Sequence, residues 1–341
     1  MTAPLDPSHV FQVGFGFWGS KVLLTAVEME LFSHLGKGPM TGRELERTLG
    51  LHPRATWDFL DALVALGFLE RDGDGEDAHY RNTPEGSAFL DKSSQRYVGG
   101  MLEMLNARLF RFWDDLPTAL RTGEPQNELK HGGKSLFEEL YAEPSRLEQF
   151  LGAMASLSAP NFELFAKQFD FGKHQTLTDA GGATGLLSCM VARENPHLRC
   201  TSFDLPPVEP IAKRCIEDAG LSDRVTTAAG NFFEDPLPKA DVVTMGLILH
   251  DWNLEKKKHL VRAAHEALPE GGAFVAIENV IDDARRENAF GLLMSLNMLI
   301  EFGDAFDFTG ADFRGWCREV GFREFDSIPL AGTFSAVIAY K

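Results

Sequence analysis

The sequence predicts an α/β chain in two parts: an N-terminal all-α/winged-helix module, then a domain built on a mostly parallel sheet. Three observations carry this. From residue 176 onward, short apolar runs alternate with helical runs in the rhythm of βαβ units. The first of those runs breaks into a glycine loop, Gly181-Gly182-Ala183-Thr184-Gly185. Ahead of it, residues 38–86 read helix, turn, helix, hairpin. At 341 residues the chain also exceeds one average domain.

Residues 8–36 read as one helix, apolar on several faces through Val10, Phe11, Val13, Phe17, Leu23 and Val27, and notched by Gly14, Gly16 and Gly19. Each glycine weakens a helix by about 1 kcal/mol relative to alanine. A helix this apolar is therefore expected against a close neighbour, and its place in the chain points to a second subunit. Thr41 followed by Glu44 is a capping box opening a helix to Leu49; Gly50 ends it, and Pro53 opens a second helix with Trp57, Leu60, Leu63 and Val64 on one side. Residues 68–71 read as a strand, 72–77 as a turn and 79–83 as the returning strand. A DNA-reading winged helix needs several cations on its second helix and wing, because phosphate neutralisation supplies most of the affinity. Here that helix sets Arg54 against Asp58 and Asp61, and the wing turn carries Asp72, Asp74, Glu76 and Asp77. The module is read as a dimerisation domain that does not bind nucleic acid.

Residues 97–170 alternate helical runs with breakers at Gly123, Pro125, Gly132-Gly133, Pro144 and Pro160. Met101, Met104, Phe110, Phe112, Trp113, Phe137, Tyr141, Phe150 and Met154 recur there at helical spacing. Such a stripe fills an ordinary core or walls an apolar pocket for a flat ligand, and both remain open.

The run from Thr176 ends on Asp179, the glycine loop follows, a helical run reaches Glu194, and a second apolar run ends on Asp204. Both carboxylates stand at carboxyl ends of strands, where open α/β sheets bind their ligands. A dinucleotide fingerprint needs glycines at G-x-G-x-x-G to press backbone against a pyrophosphate. This loop has G-G-x-x-G, with Ala183 at its third position. Asp179 would repel a pyrophosphate but suits the ammonium of an amino-acid tail, and Asp204 suits a ribose diol. S-adenosylmethionine (SAM) carries that tail, a ribose and no phosphate. Further strands are expected over 224–229, 241–249, 273–281, 323–329 and 333–340, with helices over 254–268, 286–301 and 310–320.

The 241–249 strand runs into His250-Asp251-Trp252, which projects the histidine towards the same crevice. An imidazole titrates near neutrality and can accept a proton there. Glu278, ending the next strand, and Asp307 in the loop FGDAFDFTG could come near the ring and fix its tautomer. Such a trio suits proton abstraction from a hydroxyl.

Taken in order, LTDAGGATG, FDLPPV, GNFFEDPLPKADVVTMGLILHDW, EALPEGGAFVAIENVI and FTGADFRGWCREVGF resemble the SAM-dependent small-molecule O-methyltransferases, over nearly the whole chain. The resemblance implies a Rossmann-like class I methyltransferase domain with a mostly parallel seven-stranded sheet, at 171–341, behind a winged-helix dimerisation domain at 1–95 and a helical linker and pocket region at 96–170. It implies that Asp179, Gly181, Gly182 and Gly185 hold the methionine end of SAM, Asp204 the ribose hydroxyls, and Asn231 and Phe232 the adenine, with Leu205 a further cofactor-binding residue and Trp252 beside the cofactor. His250 would be general base and Glu278 its orienting acid, with Asp307 a second acid. Three places depart from relatives: Asn231 stands where an acid is common, Gly246 where plant enzymes have a lysine, and Asp307-Phe308-Thr309 where relatives have G-x-E-R-T, with a shorter acid and no arginine. The implied reaction is methyl transfer to a hydroxyl of a small aromatic acceptor, yielding S-adenosylhomocysteine (SAH) in a homodimer. Methyl transfer to sulfur or nitrogen, or a non-methylating use of SAM, would fit the same scaffold.

Net charge is −17 with no block of like charge, which argues against polyanionic partners. Cys189, Cys200, Cys215 and Cys317 form no C-x-x-C pair and are expected as buried free thiols, with no metal site. The N-terminal residues show no signal pattern and no apolar run reaches the roughly 18 residues of a membrane helix, so a cytoplasmic protein is expected.

Overall fold

The structure, a computed structural model, describes residues 5–133, 140–141 and 143–341. Phe137 of the apolar stripe lies outside the described residues. The chain forms two units, Met1–Arg111 and Phe112–Lys341.

The first unit begins with α1 (Ser8–Gly14), α2 (Gly16–Glu28) and α3 (Leu31–Leu35), where one helix was expected over 8–36. The breaks fall at Phe15 and at Glu30, whose φ of 56° no α-helix accepts. Then come β1 (Met40–Thr41), α4 (Gly42–Leu49), α5 (Pro53–Ala65), β2 (Leu69–Asp72), β3 (His79–Asn82), α6 (Pro84–Phe89) and α7 (Gly99–Met104). The capping box forms as expected: Thr41 Oγ1 accepts the Glu44 N–H at 3.3 Å, and Glu44 Oε2 accepts the Thr41 N–H at 2.8 Å. Two-residue β1 is too short to read from sequence; it lies beside β3 in a sheet ordered β1-β3-β2. Ala26, Leu31, Phe32, Leu45, Leu60 and Leu63 form the core.

By contrast Val10, Phe11, Val13, Phe15, Phe17 and Trp18 keep 49–69% of their surface exposed. Phe15 stacks on Phe11 and Trp18 with centroids 5.8 and 4.7 Å away, so the apolar surface is continuous. Ser8–Glu28 spans 21 residues at mean hydropathy 1.3, long and apolar enough by length and composition alone to cross a membrane. The expectation found no apolar run of that length because polar Ser8, His9, Gln12, Ser20, Lys21 and Thr25 are scattered through it; averaged over the segment, the apolar residues outweigh them.

The second unit holds α8 (Leu116–Thr122), α9 (Pro144–Gln168), β4 (Thr176–Ala180), α10 (Leu186–Glu194), β5 (Arg199–Asp204), α11 (Glu209–Asp218), β6 (Val225–Ala229), β7 (Val242–Gly246) and α12 (Leu254–Ala267). It ends with β8 (Ala273–Glu278), α13 (Ala289–Phe302), α14 (Gly310–Val320), β9 (Glu324–Pro329) and β10 (Ser335–Tyr340). Pro160 does not break a helix as expected; it lies within α9. Buried Leu151, Ala153, Asn161 and Phe165 on both sides of it hold the helix together, so packing outweighs the one backbone bond a proline removes. The seven strands run β6-β5-β4-β7-β8-β10-β9, parallel except for β10, which is antiparallel to both neighbours. Side chains alternate between two cores. Val242, Val275 and Ile277 join Phe165, Leu187 and Ile216 on one face; Val243, Met245 and Phe274 join Leu260 and Phe313 on the other. Strand β8 is buried at every position, as a central strand covered on both faces must be.

The cysteines are free, but Cys215 is exposed rather than buried. In α11 the inward stripe is Ile211, Ala212 and Ile216, and Cys215 falls outside it.

Candidate active site

The sheet order reverses between β4 and β7, and the loops leaving their carboxyl ends flank a crevice. Beyond β4 the backbone turns through positive φ at Gly181 (77°), Ala183 (49°) and Gly185 (75°). A Cβ on Gly181 would stand 2.3 Å from Ile248 Cδ1, and one on Gly182 2.2 Å from Ser202 Oγ. Only glycine lets the loop lie this close to both neighbours. The N–H groups of Gly181 and Gly182 donate to the Phe203 carbonyl at 2.8 and 3.2 Å, tying the loop to the end of β5.

Asp204 closes that strand. Its Oδ2 accepts the Ala183 N–H at 2.8 Å and its Oδ1 the Leu205 N–H at 2.7 Å, so the carboxylate is fixed across the loop. Burial raises its pKa, and these two bonds oppose the rise. Asp179 is buried and accepts from the Thr244 hydroxyl at 2.8 Å. Burial, with Asp204 adding and Thr244 opposing, pushes its pKa up to about 7. Asn231 folds back on itself: its Oδ1 accepts the Phe233 N–H at 3.0 Å. Phe232, Phe233 and Trp252 meet edge to face at 4.7–6.1 Å, and the buried Trp252 Nε1 has no partner. Tyr141, Ala183 and Leu205 pack on one small apolar cluster beside the loop.

Strand β7 stops at Gly246, earlier than expected, because Leu247 turns through φ 56°. His250 therefore sits not on the strand but in a 3₁₀ turn, Leu249–Asp251. The ring is buried, with Nε2 3.4 Å from Asp251 Oδ1 and Nδ1 3.6 Å from Asp307 Oδ1. Glu278 is spent on the turn itself: its Oε1 accepts the N–H groups of Ile248 at 3.1 Å and Leu249 at 2.9 Å. Among the described residues its Oε2 is buried without a hydrogen-bond partner, as are His250 Nδ1 and Asp307 Oδ2. Ligand atoms of these three residues lie within 4.8 Å of one another, a spacing that could also hold a cation.

Burial disfavours the charged imidazole, but Asp251, Glu278 and Asp307 outweigh it and push the pKa of His250 up to about 10. Burial likewise lifts Asp251 to about 6 and Glu278 to about 7, with His250 opposing in each case. Beneath them lies a group the sequence reading passed over, Lys257, fully buried and pulled down to about 8 by burial against the surrounding acids. That ammonium already supplies positive charge to the acids a metal would need. Asp251 and Thr244 were passed over too; a signal existed only for Asp251, which adjoins His250, whereas Tyr141 stood in the apolar stripe that was left open as core or pocket wall.

The donor set fits SAM. The two carboxylates, Asp179 and Asp204, suit an ammonium and a ribose diol in their chemistry, and Trp252 Nε1 is a buried donor without a hydrogen-bond partner among the described residues. The comparisons decide the family. A profile for the O-methyltransferase domain matches residues 113–323, and one for the O-methyltransferase dimerisation domain matches residues 11–92. The chain belongs to the O-methyltransferase family. It is a SAM-dependent O-methyltransferase with a class I methyltransferase fold. It is 39% identical over 335 residues to the tetracenomycin polyketide synthesis 8-O-methyl transferase TcmO of Streptomyces glaucescens, covering 98% of this chain and 97% of that protein. It is 36% identical over 327 residues to the N,N-dimethyltransferase OxyT of Streptomyces rimosus, covering 94% and 93%. Human N-acetylserotonin methyltransferase in complex with SAM matches at TM-score 0.90 and 28% identity, covering 100% of this O-methyltransferase and 99% of that chain.

Proposed function

We propose that this O-methyltransferase methylates a hydroxyl of a flat, polycyclic aromatic acceptor of polyketide type, with His250 as general base. Likeness to TcmO supports the acceptor class. The observation that carries the chemistry is the imidazole held in a buried slot between Asp251 and Asp307. SAM, when bound, supplies a methyl group on a sulfonium. The chain's own task is then to align a hydroxyl, exclude water and take up its proton. Alignment of this kind can lower a barrier by roughly 7–11 kcal/mol. Base catalysis adds on the order of 10²- to 10⁴-fold. Asp251, Glu278 and Asp307 raise the pKa of His250 to about 10, so the surrounding acids stabilise the ring once it has taken up the acceptor's proton.

Asp204 and Leu205 would bind the ribose; Asp179 and the glycine loop the methionine end; Phe232 and Trp252 the adenine. Asn231 would serve there through its backbone more than its side chain, whose oxygen is engaged by Phe233. Winged-helix order in the first unit and the exposed faces of α1 and α2 support a homodimer assembled there.

The test is turnover of aromatic polyketide acceptors by His250→Ala, with product mass read alongside. The expected result is a gain of one methyl per product in the wild type and a loss of at least 100-fold in the variant. Full activity of His250→Ala would remove the base. It would favour a second reading, methylation of an amine, which has its own lone pair; the likeness to OxyT supports that alternative.

A further inference from the structure

Helix α12 carries its inward stripe at Lys257, Leu260, Val261, Ala264 and Ala267, so a lysine occupies the first core position of an otherwise apolar face. It is 0% exposed. Burying an ammonium is costly unless its surroundings compensate, and this one makes two directed contacts. Its Nζ donates to the carbonyl of Trp252, and stands 3.8 Å above the centroid of the Phe306 ring. Trp252 is the residue after Asp251, and Phe306 the residue before Asp307. Those are the two acids that flank the imidazole, at Nε2 and Nδ1 respectively.

We propose that Lys257 is a positioning residue of the methyl transfer: one buried ammonium fastens both acid-bearing walls of the slot that holds His250. The proposal rests on the reading of His250 as base. The slot is also held by the Glu278 carboxylate, which accepts the Ile248 and Leu249 N–H groups, and by the Ser295 hydroxyl, which accepts the Asp307 N–H; neither of these reaches both walls. Besides gripping the walls, the ammonium is the local cation for four acids: Glu278 on β8, Asp307 and Asp304 in the loop after α13, and Asp251 on the turn. Glu301 on α13 adds its charge at Asp251, and Tyr141 feels Asp204 and Asp251. Among the described residues none of those four acids lies within ion-pair distance of the Lys257 ammonium, so its charge acts on the cluster and is not consumed by one partner.

Removing a cation raises the proton affinity of every group around it. Lys257→Met is therefore expected to move the acid limb of the kcat/KM profile to higher pH by at least half a unit and to lower kcat at least tenfold. Acceptor KM and SAH affinity should stay within threefold, and Lys257→Arg should restore the limb. A merely structural lysine would lower the melting temperature without moving the limb. An unmoved limb and kcat within twofold of wild type in folded Lys257→Met would overturn the proposal. Should that variant not fold, the charge of Lys257 in the wild type decides: ¹³Cε NMR should show an ammonium at pH 7, and a neutral amine would overturn it. Combining Lys257→Met with His250→Ala separates the two readings. If His250→Ala alone keeps turnover, the base reading falls. If it loses turnover and Lys257→Met adds a further full tenfold loss on top, the base stands and the positioning role falls.

Discussion

At the residue scale the account turns on where one proton sits. His250 has a raised pKa because three acids surround it, so at neutral pH most molecules hold the ring protonated. Only the neutral ring can act as base, so kcat/KM is expected to rise with pH from 7 towards about 10. Asp307→Asn removes one of the acids and should move that rise to lower pH, by at least half a unit; a pH–rate profile of both proteins checks it. Part of this site was legible in advance. Asp179, the glycine spacing and Asp204 stand in one short segment, and their positions follow directly from strand–loop–helix order. Lys257 was not, because it stands in the run Lys256-Lys257-Lys258, which reads as a solvated face. Its phase with Leu260, Val261 and Ala264 was the available signal, outweighed by its charge.

At the element scale the decisive part is the turn after β7. It was expected as strand because Val242 to Leu249 is nearly all apolar, and an apolar run does not reveal a backbone that reverses at Leu247. What stabilises the turn is long-range: the carboxylate of Glu278, on the neighbouring strand, accepts two of its N–H groups. Hydrogen bonds to a charged group contribute about 1.5–3 kcal/mol each. Glu278→Ala should therefore lower the melting temperature and, by loosening the turn that carries His250, reduce turnover at least tenfold. Glu278→Gln keeps an acceptor oxygen there and should retain more of both. Thermal melts and initial rates distinguish the two variants. The same contrast between local and distant causes explains the rest of the fold: capping boxes and βα alternation were readable, whereas β1 exists only by lying beside β3.

At the scale of the whole molecule, two units divide the labour. The first exposes Val10, Phe11, Val13, Phe15, Phe17 and Trp18 together, and clustered exposed apolar side chains of this kind mark interaction surfaces. The family's dimerisation domain matches residues 11–92, which takes in most of α1 and all of α2. Phe11→Asp with Phe15→Asp is expected to shift the protein from twice the chain mass to the chain mass in light scattering, with an unchanged far-ultraviolet spectrum. The second unit holds every residue assigned to SAM and to the base. Its division is sharp: Asp204 is fixed across the glycine loop, and His250 sits in its own slot beyond β7. Calorimetric titration with SAH of the wild type, Asp204→Ala and His250→Ala tests that division most directly. The account predicts binding by the wild type, affinity within threefold in His250→Ala, and at least 30-fold weaker binding in Asp204→Ala. No heat with the wild type, or binding lost with His250 and kept without Asp204, would contradict it.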